Sequence, residues 1–227
     1  MIILTGASGG IGRDLIVHLS KIDNVVGLYN KTSMATSLNK NISYDQLDIE
    51  KPEDIAVFAK KWGPKNSKIT LVHAAAVKID GFTKDYKEEN WDKVMSVNLK
   101  GNFLLTRAFL PHMIENQWGR IVHISSAGGL QGAVGTLAYS TSKSGLMGMS
   151  RVLAKEYARF GITSNVLVLG HFQGGMFDDL TAEVKEKLLN QIPSKLLGDV
   201  SNVANAIEFL IKSKYVTGAA INIDGGL

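Results

Sequence analysis

Along this chain, short runs of consecutive apolar residues alternate with longer stretches in which apolar residues recur every three to four positions. The first kind reads as buried strand and the second as helix with one inward face. On that pattern Ile2–Leu4 is a first strand, and Ile11 to Ser20 is a helix with Ile11, Leu15, Ile16 and Leu19 on one face. Val25–Tyr29 and Ile42–Leu47 follow as strands. Pro52, at a favoured first-turn position, opens a helix with Ile55, Phe58, Ala59 and Trp62 inward. Ile69–Ala74 is a fourth strand, Trp91 to Asn116 a long helical stretch interrupted at Gly101 and Pro111, and Ile121–Ser125 a fifth strand. A helix from Tyr139 to Phe160 stops at Gly161, acting as a C-cap, and Val166–Leu169 is a strand. Helices over Thr181–Gln191 and Asn202–Lys212 lead to a last strand at Ala219–Ile223.

Strands that are apolar throughout are covered on both faces, and strands separated by helices pair in parallel. The pattern therefore predicts an α/β protein: a Rossmann-type doubly wound parallel sheet in a three-layer α/β/α arrangement, with residues 1–227 as a single domain. No linker, low-complexity tract or internal repeat interrupts it. Ligands of such sheets bind at the carboxyl ends of the strands.

Composition narrows the function classes. The 227 residues suffice for a sizeable core, and 45% hydrophobic with 20% charged residues is ordinary for a soluble globular protein. The net charge of +4 is spread over scattered lysines, so no nucleic-acid arm is expected. The absence of cysteine excludes disulfides and thiolate metal sites and fits a cytoplasmic location; no metal is expected. No apolar run has the length of a membrane span, and a strand at Ile2 leaves no room for a signal peptide.

Two groups of residues carry chemistry. The first is the loop Thr5-Gly6-Ala7-Ser8-Gly9-Gly10-Ile11-Gly12, between the first strand and the first helix. Small residues let main-chain amides approach a phosphate, and the helix N-terminus adds partial positive charge. A tight strand-to-helix turn needs glycine for its own sake, but in the first βα unit of such a sheet this is where a dinucleotide pyrophosphate lies. At the end of the second strand an NAD site places a carboxylate for the ribose 2′-hydroxyl. Here the run is Tyr29-Asn30-Lys31-Thr32-Ser33, with an ammonium and two hydroxyls instead, which suits a 2′-phosphate and favours NADPH over NADH. Alternatively, Lys31 is one more solvated lysine.

The second group is Ser126, Tyr139 and Lys143. Tyr139 and Lys143, four apart, stack on one helix face, and Ser126 closes the apolar run from Gly119. A phenol has a reference pKa of about 10 and is a poor acid at neutral pH. A neighbouring ammonium would lower that value and make Tyr139 usable as a general acid or base near pH 7.

Taken together, the Thr5–Gly12 loop, Asp48, Asn98, Ser126 and Tyr139-x-x-x-Lys143 resemble the short-chain dehydrogenase/reductase family over essentially the whole chain, down to the gap of thirteen from Ser126 to Tyr139. The resemblance implies an oxidoreductase in which Tyr139 exchanges a proton with the substrate oxygen and Ser126 hydrogen-bonds that oxygen. Lys143 would lower the tyrosine pKa and hold the nicotinamide ribose, and Asn98 would help hold a water linking Lys143 to solvent. Cofactor contacts are implied for Gly6, Ser8, Gly9, Gly10, Ile11, Gly12, Asn30, Lys31, Thr32, Asp48, Ile49, Ala74, Ala75, Ala76, Tyr139, Lys143, Gly170 and Phe172. Each residue also has a structural reading: Asn98 satisfying backbone at a kink, Asp48 capping a turn, Tyr139 packing, Lys143 on the surface, Ser125 structural.

The chain departs from the family at His73-Ala74-Ala75-Ala76, where Asn-Asn-Ala-Gly is usual, and at Leu169-Gly170, where Pro-Gly is usual. Gly174 stands where a threonine usually touches the nicotinamide, so His171 and Gln173 are expected to supply substitute contacts, and His73 is read as structural. The segment from Gly170 to roughly Gln191 is expected to form a mobile substrate lid, with Phe172, Met176, Phe177 and Leu180 as an apolar wall; alternatively, Met176 and Phe177 pack only against the protein. The Gln191–Asp199 tail and the Thr217–Gly226 ending resemble the 3-oxoacyl-[acyl-carrier-protein] reductase branch, which implies NADPH-dependent reduction of a 3-oxoacyl thioester. Alternatives are another ketone, sugar or alcohol as substrate, or an NADP-sensing regulator without turnover. Arg107, Arg151 and Arg159 are candidate contacts for an acidic acyl carrier protein, and Gly145, Gly148, Ala154 and Leu227 for a homotetramer or homodimer interface; alternatively, Gly145, Gly148 and Ala154 pack against the chain's own sheet.

Overall fold

The computed structural model describes residues 1–32, 38–173, 177 and 181–227. Seven strands form one parallel sheet in the order β3-β2-β1-β4-β5-β6-β7. They are β1 (Ile2–Thr5), β2 (Val25–Tyr29), β3 (Ile42–Gln46), β4 (Thr70–His73), β5 (Gly119–Ser126), β6 (Ile162–Leu169) and β7 (Ala220–Ile223). The order reverses between β1 and β4, so the chain passes outward on both sides of a crevice at the carboxyl ends of those two strands.

Alternation along the central strands sends side chains to two different cores. On one face Ile2, Leu4, Val72, Val122 and Ile124 meet α1 (Gly10–Leu19) and α8 (Val200–Lys212) through Leu15, Leu19, Val203 and Ile207. On the other, Ile3, Leu28, Leu71 and Ile121 meet α2 (Pro52–Trp62) and α4 (Gly101–Glu115) through Ile55, Phe58, Leu105 and Phe109. Phe58 and Phe109 close that core edge to face at 5.8 Å. The remaining helices are α3 (Glu88–Met95), α5 (Ala127–Gln131), α6 (Leu137–Tyr157) and α7 (Ala182–Gln191).

Three differences from the sequence pattern have physical causes. The break in the long helical stretch is not at Gly101, where α4 begins, but just before it: Ser96–Lys100 form one π-turn. Pro111 sits within α4 without ending it. Strand β6 begins four residues earlier than its apolar run because Ser164 and Asn165 are buried but bonded. Ser164 lies 3.0 Å from Ser150 Oγ, while Asn165 donates to Val216 O at 2.9 Å and accepts from Ala219 N at 3.1 Å. Gly161, at φ 69°, ends the turn after α6 as expected. Among the described residues no helix is long and apolar enough to cross a membrane.

Candidate active site

The crevice between β1 and β4 is lined first by the glycine loop. Gly6 has φ 73°, and a Cβ there would stand 2.8 Å from Ala75 Cα, so only glycine lets the loop after β1 touch the loop after β4. Thr5 fastens the two: its Oγ1 accepts the amides of Ala74 and Ala75, each at 3.0 Å. Helix α1 then starts with Gly9 as N-cap, no side-chain cap bond and no acid in its first turn. Its leading amides are therefore free for an anion, which fits a pyrophosphate. Gly9 and Gly10 are exposed, Ser8 and Ile11 half-buried, and Gly12 buried. Arg13 Nε braces the loop through Ser8 O at 2.8 Å.

Around this cradle the other cofactor candidates divide. Asn30, Lys31 and Thr32 are exposed at the end of β2, with no carboxylate among them; Ser33 lies outside the described residues. Asp48 accepts the amide of Glu50 at 3.1 Å and so forms a turn, as its structural reading had it. Ile49 is buried in the α2/α4 core. Ala74 and Ala75 are half-buried and Ala76 exposed. Phe172 is 4% exposed, its ring packed in the α1/α8 core against Gly198, so only its main chain can meet a ligand. Gly170 is needed by its own chain, because a Cβ there would stand 2.7 Å from Asp224 Cα. Gln173 lines a groove with Asp14, His18 and Asp199, on the α1/α8 side. The His171 ring meets Phe177 at 6.2 Å. Gly174, Met176 and Leu180 lie outside the described residues.

Beside the cradle stands the triad. Thr136 fixes the start of α6, bonding Ala133 O and Ser140 Oγ, each at 2.8 Å. From α6, Tyr139 and Lys143 project toward the end of β5 and are 9% and 3% exposed. Ser126, the last residue of β5, carries no cap bond from its side chain, and its hydroxyl is near enough to the phenol of Tyr139 to act on its pKa. Lys143 Nζ donates to Ile124 O at 2.7 Å and lies 5.7 Å from the Tyr139 ring centroid. Ser125 is structural: its Oγ donates to Lys143 O at 3.1 Å and pins α6 to the sheet.

The electrostatics correct one expectation. Tyr139 is not brought down by Lys143. Burial raises its pKa above 10.0, hydrogen bonding with Ser126 lowers it, and Asp80 raises it further. The reason is where the ammonium goes: a buried charge needs an acceptor, and Lys143 takes the Ile124 carbonyl and lies over the ring face, not at the phenol oxygen. Burial lowers Lys143 itself to about 8.

Asn98, in the π-turn, has no exposed surface and its amide is fully engaged. Oδ1 accepts from Val77 N at 2.8 Å, and Nδ2 donates to Val77 O at 2.9 Å and Ser142 Oγ at 3.1 Å. Its side chain thus clasps the loop after β4 to α6.

Sequence reasoning passed over two residues here. Thr5 carries no sequence signal of its own beyond its place in the glycine loop. Asp80, which acts on Tyr139 from the loop after β4, has no motif to mark it; that loop reaches the site because Gly81 N bonds Gly135 O at 2.9 Å. Of the outlying candidates, Gly145 packs on Leu99 and Ala154 beside Gly218 within the chain, while a Cβ at Gly148 would meet nothing within 4 Å. Arg159 follows the C-terminus of α6, roughly 30 Å from Tyr139 by helix rise and so away from the mouth. Arg107 stacks on Phe103.

Comparison with known proteins agrees with this geometry. A family model for short chain dehydrogenase matches residues 1–185. A 3-oxoacyl-[acyl-carrier-protein] reductase of Rickettsia felis is 34% identical over 232 residues, spanning 99% of this chain and 95% of the relative. The Staphylococcus aureus protein of the same name is 31% identical over 237 residues, spanning 99% and 96%.

Proposed function

The chain belongs to the short-chain dehydrogenase family, and from that premise we propose that it is an NADPH-dependent reductase of 3-oxoacyl thioesters carried on acyl carrier protein. The observation that carries the reading is the Ser126–Tyr139–Lys143 cluster, set at the carboxyl edge of β5 beside the uncapped N-terminus of α1. The names and near-complete coverage of the relatives support the thioester as substrate.

In this reading the amides opening α1 and the Gly6 turn hold the pyrophosphate, and Lys31 with Asn30 and Thr32 receives the 2′-phosphate. When bound, the nicotinamide supplies the hydride to the carbonyl carbon. The chain's own residues manage the oxygen. Ser126 donates to it and fixes its position, while Tyr139 delivers the phenolic proton as negative charge develops there. A phenol kept protonated by burial is in the right state to give that proton. Lys143, an ammonium at neutral pH beside the ring, holds the nicotinamide ribose. Residues 1–227 act as one catalytic unit, in the cytoplasm and as a homo-oligomer. Its contact face would be the groove lined by Met95, Leu99, Phe103 and Met149, where Phe103 is exposed.

The test follows NADPH absorbance with a 3-oxoacyl thioester, beside NADH and Tyr139→Phe. Tyrosine-dependent oxidation, faster with NADPH, is expected. Turnover only with sugars or small ketones moves the substrate class. NADPH binding without turnover on any carbonyl replaces the enzyme by a nucleotide-sensing regulator. Light scattering that finds a monomer at micromolar concentration rejects the oligomer.

A further inference from the structure

Behind Lys143 lies a lane of buried polar side chains that the proposed chemistry does not use. Asn98, Asn102 and Thr106, spaced four apart from the π-turn into α4, line one face and are all buried. Facing His73 across this lane, Thr106 Oγ1 stands 3.0 Å from His73 Nε2, and Asn102 Nδ2 donates to Asn98 O at 3.1 Å. His73 and His123 occupy paired register positions on β4 and β5, and their rings stack 5.0 Å apart and 10° from parallel. Neither imidazole is more than 1% exposed. Four atoms here have no hydrogen-bond partner among the described residues: His73 Nδ1, both ring nitrogens of His123, and Asn102 Oδ1.

A buried polar atom without a partner destabilises the fold, because its bonds to water are lost and not replaced. Such atoms are rare in folded proteins and mark trapped water or a functional demand. Their grouping in one lane, next to the reacting lysine, points to a shared purpose. Lys143 has three ammonium protons and bonds Ile124 O, the residue directly after His123. Burial keeps both imidazoles neutral, His123 lowered to about 3 with the Lys143 charge as the second cause, so each retains an acceptor lone pair. The titratable groups facing Lys143 are Tyr139 on its own helix and His123 on β5; Asp80 acts on Tyr139 from the loop after β4. The neighbours Asn98, Ser125 and Ser126 are neutral.

We propose that His123, held flat by His73, is a positioning residue for Lys143: through a bridging water its ring accepts a hydrogen bond from the buried ammonium and holds that group, charged, over the face of Tyr139. Without this acceptor the ammonium rests on Ile124 O alone and gives up its proton at lower pH. The inference rests on Tyr139 and Lys143 being the reacting pair, but its readout needs no turnover.

The experiment is nitrogen-detected NMR of the lysine and imidazole groups in the intact protein, for wild type, His123→Leu and His123→Gln. In wild type the His123 ring-nitrogen shifts are expected to move through the titration of Lys143. In His123→Leu the Lys143 midpoint falls by about one pH unit, a tenfold change in the ammonium-to-amine ratio. His123→Gln, whose amide oxygen is an acceptor, restores most of it. A Lys143 midpoint unmoved in His123→Leu overturns the proposal, as do wild-type ring shifts that stay flat while Lys143 titrates. The second result decides the matter even where the leucine variant does not fold. Absent carbonyl reduction with this coupling intact would overturn the reductase reading and leave the proposal standing.

Discussion

Lys143 donates to the main-chain carbonyl of Ile124 at 2.7 Å, in a position where only 3% of the lysine reaches solvent. Burial there lowers the ammonium from 10.5 to about 8. Between those values the unfolded chain holds a proton that the folded chain has released, so stability rises with pH across that window. Read the other way, keeping Lys143 charged at pH 7 costs on the order of 3 kcal/mol of stability. Urea midpoints of wild type are expected to climb from pH 8 to pH 10, while those of Lys143→Met stay level. A wild-type midpoint that falls over this interval would show that the charge is not held at a cost.

Gly129 sets how close α5 comes to the same lysine. A Cβ at 129 would stand 2.7 Å from Lys143 Cβ and 3.6 Å from Ser126 Cβ. Overlap of this kind costs typically about 1–3 kcal/mol, and here the relief falls on Lys143, since the Ser126 contact is an ordinary one. Gly129→Ala is expected to lower kcat by about tenfold or more while NADPH binding changes little, because misplacement by a fraction of an ångström acts on the chemical step. Steady-state kinetics with a cofactor titration separate the two, and an unchanged kcat would mean that α5 yields without disturbing the lysine.

Thr5 joins the glycine loop to the loop after β4 by accepting two amides with one hydroxyl. Thr5→Val keeps the shape and removes the acceptor, leaving the amides of Ala74 and Ala75 without their partner at about 1–3 kcal/mol. NADPH affinity is expected to weaken about tenfold by the energy-to-affinity relation. Thr5→Ser should bind as wild type does. Calorimetric titration of the three proteins checks this, and equal Kd values in all three would reduce Thr5 to a packing residue.

The sheet and its helices were legible because burial on both faces writes itself as continuous apolar runs and period-3.6 stripes, and both cores follow that script. The triad was legible because residues on one helix face and at one strand end are near in sequence as well as in space. What escaped was produced by distant contacts. The early start of β6 depends on Ser164 and Asn165 finding partners from Ser150 and Val216. The environment of Tyr139 depends on Asp80, about sixty residues earlier in the chain. The effect expected of Lys143 on Tyr139 failed because residue spacing gives the face of a helix but not the acceptor its ammonium will choose.

His73 and His123 predict acid sensitivity of a definite sign. Both are buried, both are held neutral by burial, and His123 titrates near 3 in the fold against 6.5 in a free chain. Below pH 6.5 the unfolded state takes up protons that the folded state refuses, so stability is lost as pH falls. The loss approaches about 1.4 kcal/mol per pH unit for His123, and His73 adds a loss of the same sign. Urea midpoints are expected to drop steadily from pH 6.5 to pH 4.5, and those of His123→Gln should drop less steeply. A protein equally stable at pH 6.5 and pH 4.5 would mean that the stacked rings do accept protons in place, and with them a positive charge beside Lys143.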